Sequence, residues 1–123
     1  MNLDSEKLNE VLRGLRLSSP EIIGATVVNS DGFTIASVVP TEIDQDLVSA
    51  MARSLLGVGG RISTDLMRSS MEQAFVRSPK GYVIVNAIGE DASLVLLVAR
   101  EAKLGLIFLE LERTSAELAN QMS

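Results

Sequence analysis

The chain has 123 residues, 46% of them hydrophobic and 22% charged, with sixteen acids against eleven bases for a net charge of −5. That length allows one domain, long enough to bury about two-thirds of its unfolded surface, and the balance of apolar and charged residues is that of a folded chain. The absence of Cys and His excludes disulfides, thiolate chemistry and zinc sites built on those residues. An aromatic content of 3%, with no Trp and no run of bases along the sequence, argues against nucleic acid and anionic membrane surfaces as partners.

Residues 4–16 read as a short helix, with Leu8, Val11, Leu12 and Leu15 on one side and Asp4 available to cap its start. Gly14 and the run Ser18-Ser19-Pro20 mark its end. Residues 22–28 are apolar at both alternating sets of positions, as in a strand covered on both faces. Asn29-Ser30-Asp31-Gly32 is a tight-turn sequence, and Phe33–Val38 returns as an antiparallel strand ended by Pro40 and Thr41.

The stretch Asp44–Arg68 then dominates the chain. Leu47, Val48, Met51, Ala52, Leu55, Val58, Ile62 and Leu66 recur at spacings of three and four, which predicts one apolar face of a long amphipathic helix capped by Asp44. Gly57, Gly59 and Gly60 interrupt it, and each glycine inside a helix costs about 0.5–1 kcal/mol relative to alanine. Close approach by another backbone would offset that cost. Ala50, Ser54 and Gly57 form a small-residue strip beside the apolar face, so the expectation is a helix lying on a sheet with one side and meeting a partner with the other. The competing reading is two short helices broken at Gly59-Gly60.

Beyond it, Met71–Arg77 is predicted as a polar strand of the kind found at sheet edges. Ser78-Pro79-Lys80-Gly81 forms a turn, Tyr82–Ile88 a fourth strand, Gly89-Glu90-Asp91 another turn, and Ser93–Ala99 a fifth strand apolar on both faces. Residues 104–121 keep a helical period through Leu104, Ile107, Phe108, Leu111, Leu118 and Met122, with Leu106 and Leu109 lying off it; Leu106-Ile107-Phe108-Leu109 could begin as strand, but the charged and small residues from Glu110 to Ala119 favour helix. The polar first residues predict no secretory signal, and the longest apolar run, Leu94–Ala99, is too short to span a bilayer. A cytoplasmic protein with no membrane insertion is expected.

No catalytic constellation emerges. Gly57-Val58-Gly59-Gly60 is followed by no Lys-Ser or Lys-Thr and sits inside a helix, so it is not a phosphate loop. Triads built on His or Cys cannot be formed. The acid pairs Asp44/Asp46 and Glu110/Glu112 are two apart and point in different directions, so neither reads as an acid dyad or a metal site. No enzyme activity, cofactor or metal is expected. Arg53, Arg61 and Arg68 share one broad sector of the long helix, either as a solvated surface or as a rim for an acidic partner.

The order helix, two strands, helix, three strands, helix resembles the Roadblock family, the dynein light chain type domain. The resemblance is carried by Ile23–Gly32, the long helix, the hairpin Phe75–Val85 and Leu104-Gly105-Leu106-Ile107, and spans residues 4 to 121. It is strongest toward short prokaryotic members similar to the gliding-motility regulator of a small Ras-like GTPase. It implies an α+β fold over residues 1–123: a five-stranded antiparallel sheet with the central helix on one face and the terminal helices on the other, akin to profilin and longin sheets. It also implies a homodimer whose third strands pair edge to edge and whose central helices lie side by side, acting as a platform for a small GTPase. On that basis Ala50, Ser54, Gly57, Val58 and Arg61 of the helix and Glu72, Ala74 and Val76 of the edge strand are expected in the dimer seam. Arg53, Gly60, Arg61, Thr64 and Arg68 are expected to face the GTPase. A docking subunit without a GTPase, or a small ligand-sensing domain, are the alternatives.

Overall fold

Alternation along the inner strands dictates the layering. The computed structural model describes residues 5–122, and its elements are α1 (Ser5–Ser18), β1 (Ile22–Asn29), β2 (Thr34–Val38), α2 (Gln45–Met67), β3 (Gln73–Ser78), β4 (Gly81–Ile88), β5 (Ala92–Ala99) and α3 (Leu104–Met122). The five strands form one antiparallel sheet in the order β2-β1-β5-β4-β3. Val27, Ile84, Leu94 and Leu96 point into a large core with Leu8 and Leu12 of α1 and Ile107, Leu111 and Leu118 of α3. Val28, Val85 and Val95, one residue out of phase, point to the other face and meet Ala52 of α2. Successive strand residues face opposite ways, so β1, β4 and β5 bury both sets. The predicted architecture is the one observed: α1 and α3 share one face and α2 takes the other.

Element ends shift by a residue or two from the sequence reading. β2 starts at Thr34 because Phe33 still belongs to the turn: Asn29 Oδ1 accepts the amides of Asp31 and Phe33, and the Asn29 N–H donates to the Phe33 carbonyl. Gly32 takes φ +84°, and a Cβ there would lie 2.7 Å from Cβ of Arg53 on α2, so a larger residue is doubly disfavoured. β3 starts at Gln73, two residues after the predicted Met71. The expected cap of α1 at Asp4 lies outside the described residues.

α2 is a single continuous helix, not two broken at Gly59-Gly60. Asp44 caps it, Oδ1 accepting from the amides of Asp46 and Leu47 at 3.0 and 3.3 Å. Arg68 closes it in the left-handed conformation, φ 54°. Its glycines do not share one cause. A Cβ on Gly59 would meet Met71 Sδ at 2.5 Å and Ala74 Cβ at 3.7 Å, so the start of β3 passes directly beneath it. Gly57 and Gly60 have nothing within 4 Å of the same position.

The predicted apolar face of α2 needs correction. Val48, Ala52 and Leu55 pack on the sheet, joined by Leu56. Leu47, Met51, Val58, Ile62 and Leu66 do not; they are exposed. The sheet beneath accepts only one flank of the helix.

Two measurements check this packing. Gly60→Ala, with open space around it, is expected to raise unfolding free energy by about 0.5–1 kcal/mol through helix propensity alone, whereas Gly59→Leu lowers it, both read from urea midpoints. Leu12→Ala, at a fully buried position of α1, is expected to cost about 2–5 kcal/mol.

Candidate interaction surface

The contacts of α2 trace its path across the sheet. Near its start the Ser49 hydroxyl bonds that of Thr34 on β2. Ala52 follows, over the centre of the sheet with Val28, Val95 and Val85. Gly59 then sits above Met71 and Ala74, at the start of β3. The helix therefore crosses from one edge strand to the other, at the end of the sheet that carries the β1–β2 turn. Because Met71 returns beneath Gly59, the last two turns of α2 have no strand of their own sheet below them. Leu66 and Met67, each 75% exposed, belong to this overhang.

The opposite end of the same sheet face lacks a helix. There Val76, Val83, Val95 and Leu97 form the floor of a trough of about 570 Å³, walled by Leu47, Met51, Ser54 and Val58 along the flank of α2. Leu47, Met51, Val58 and Ile62 make a continuous apolar stripe down that flank, each more than half exposed.

The two sheet edges are treated differently. On β2, α1 supplies partners: Ser5 Oγ donates to the Ile35 carbonyl and Asn9 Oδ1 accepts from the Ser37 amide. On β3, the Ala87 amide donates to the Glu72 carbonyl, which fixes the antiparallel phase. Backbone groups of Ala74 and Val76 then turn toward β4, and those of Gln73, Phe75 and Arg77 turn outward. No side chain among the described residues is bonded to that outward row.

The residues singled out in sequence fall into distinct places. Val58 and Ser54 border the trough beside Val76, and Ala74 lies under Gly59. Glu72 is exposed just before β3. Ala50, Gly57, Arg61, Thr64 and Arg68, spaced three, four or seven apart, form an exposed ridge on the side of α2 away from the sheet. Arg53 and Gly60 lie on the flank opposite the trough, where Arg53 packs against Gly32. The residues sequence reasoning missed are Leu47, Met51, Ile62 and Leu66, assigned to the sheet, and Val83 and Leu97, assigned to the core. The excess width of the helix's apolar face was the sign that could have found them. Among the described residues no group of acidic side chains is arranged to hold a metal ion, and no helix is long and apolar enough to cross a membrane.

The Roadblock/LC7 domain model matches residues 8–98. An uncharacterized protein of Methanocaldococcus jannaschii is 34% identical over 95 residues, covering 77% of this chain and 80% of its own length. A second from the same organism is 32% identical over 105 residues, covering 85% and 91%. Among solved structures, Myxococcus xanthus MglB superposes with a TM-score of 0.88 at 20% identity, covering 98% of this chain and 90% of that one. A Roadblock/LC7 domain from Streptomyces avermitilis gives 0.86 at 18% identity, covering 93% and 96%. Acanthamoeba castellanii profilin II gives 0.67 at 13% identity, covering 94% and 99%, which matches the profilin-like sheet expected from the element order. The structural likeness to MglB extends over α3, beyond the residues matched by the family model. The chain belongs to the Roadblock/LC7 domain family.

Proposed function

We propose that the whole chain, residues 1–123, acts as one non-catalytic Roadblock module in the cytoplasm, pairing with a second copy of itself to form a platform for a small Ras-like GTPase. The observation that carries the dimer is the mismatch between α2 and its sheet. Two copies joined through antiparallel β3 edges are related by a two-fold axis perpendicular to the sheet. That operation keeps both α2 helices on one face and brings each overhang above the other copy's trough. Leu66 and Ile62 of one copy then cover Val76, Val83 and Leu97 of the other, and the Met51–Val58 stripes face each other. One self-complementary contact thereby satisfies the outward backbone row of β3 and buries the exposed apolar stripe.

The GTPase reading rests on family membership together with what such a dimer leaves outside. The ridge Ala50, Gly57, Arg61, Thr64 and Arg68 carries small residues and arginines over open space. Glycines without neighbours in their own chain let another backbone approach closely, and flanking arginines suit an acidic partner surface. The platform needs only to bind the GTP and GDP states with different affinity to regulate the cycle. Of the seam residues expected from sequence, Ser54, Val58, Ala74 and Val76 fit this dimer directly. Ala50, Gly57 and Arg61 fit the platform surface better.

Light scattering at tens of micromolar is expected to give twice the chain mass, and Val58→Glu to give the monomer mass with unchanged circular dichroism. A monomer for the wild-type chain refutes the pairing. Small GTPases from the same genome, loaded with GTP or GDP, are expected to be retained unequally on the immobilised protein. Gly57→Leu is expected to keep the dimer mass and lose that retention. Equal or absent retention of both forms for the wild type favours a docking subunit without a GTPase.

A further inference from the structure

Charges scattered along the sequence are gathered by the fold. Where α1 ends and α3 begins, Arg16 Nε donates to the Ile22 carbonyl at 3.4 Å, the Ala99 amide donates to the Glu21 carbonyl at 2.8 Å, and Arg100 Nη1 donates to the Ser78 carbonyl at 3.2 Å. These bonds tie the end of α1, the β3–β4 turn and the β5–α3 link into one end of the molecule. It gathers the cations Arg16, Arg77, Lys80, Arg100, Lys103 and Arg113 with the acids Glu21, Glu42, Glu101 and Glu110, Glu42 arriving in the turn that follows β2. That end therefore carries +2 while the remainder carries −7. Glu110 is already held in an ion pair with Arg113.

The same end carries apolar surface that no core absorbs. A groove of about 510 Å³ runs between Ser18–Glu21 and the first turns of α3, with Leu106 and Leu109 in its lining. Leu106 is 59% exposed, Leu109 63%, and Leu17, one residue from the groove, 84%. None of the three lies on the α2 face.

We infer that this groove docks an acidic amphipathic helix of a partner protein, its apolar ridge against Leu17, Leu106 and Leu109 and its acids toward Lys103, Arg100 and Arg16. The lining balances Glu21 and Glu110 against Lys103 and Arg113, with Glu110 and Arg113 paired, and Arg16 and Arg100 add positive charge at its border; the complement of an apolar floor with cations at its border is an apolar stripe edged by carboxylates, which is helix-in-groove recognition. A helix presents acids at discrete positions and can keep them clear of Glu21 and Glu110; a continuous layer of anionic headgroups meets both. The groove is on the opposite face of the sheet from α2, so this docking does not depend on the dimer or on a GTPase.

The test uses the full chain labelled with nitrogen-15 and a synthetic helical peptide of about sixteen residues with one leucine stripe and glutamate elsewhere. The expected result is a set of amide shifts confined to residues 16–21 and 100–113, and about tenfold weaker binding for Leu106→Ser or for the Arg100→Glu, Lys103→Glu pair. The same peptide with lysine in place of glutamate is expected not to bind. Shifts centred on α2, equal binding of the lysine peptide, or no shifts at millimolar peptide overturn the proposal. So does binding to phosphatidylglycerol vesicles in place of the peptide, or groove shifts that appear on raising protein concentration alone, which would assign the groove to a membrane or to a second copy.

Discussion

A two-faced apolar sheet must be covered on both sides, and here the cover is unequal. α1 and α3 together seal one face, where Leu12, Ile84, Leu94, Leu96 and Leu118 lose all contact with water. The other face has α2 alone, and a single helix of ordinary width cannot cover five strands. Because α2 crosses one end of the sheet and continues past the β3 edge, it leaves a trough behind and carries uncovered leucine and methionine beyond. Water-exposed apolar surface of this extent, rimmed by a free strand edge, marks a contact surface.

Much of the fold was legible because strand burial is written in the alternation. β1 and β5 read as apolar at both parities, which already required helices on both faces. Asn29–Gly32 announced the first turn, and Asp44 the start of α2. The side of α2 that meets the sheet was not legible in the same way. The row Val48, Ala52 and Leu55 is centred only about 90° around the helix from the row Leu47, Met51 and Val58, so a three- and four-residue period merges a sheet-facing flank with a partner-facing one. Separating them needs the position of Met71 beneath Gly59, which is a tertiary fact. The basic end of the molecule was hidden for a related reason: Arg16, Lys80 and the Arg100–Lys103 link are far apart in sequence and become neighbours through the antiparallel order of the strands.

The glycines illustrate how one residue type answers to different demands in one helix. Gly59 is required by the chain's own packing. Gly57 and Gly60 relieve no contact within the chain, yet each costs helix stability relative to alanine. Their position along the outer ridge and far flank of α2, among Arg53, Arg61 and Arg68, separates that surface from the apolar seam. A second copy of the chain and a further partner can then occupy different sides of the same helix. In such an arrangement the stability of the chain rises with its own concentration, because association draws only on the folded form.

The most direct measurement is amide hydrogen exchange of β3. The backbone groups of Gln73, Phe75 and Arg77 point away from β4 and toward the site where a second β3 would pair. At high protein concentration their amides are predicted to be protected as strongly as those of β4, and to lose that protection on dilution below the dissociation constant. Exchange of these three amides at the rate of an unstructured peptide at every concentration, with β4 fully protected, would contradict the account.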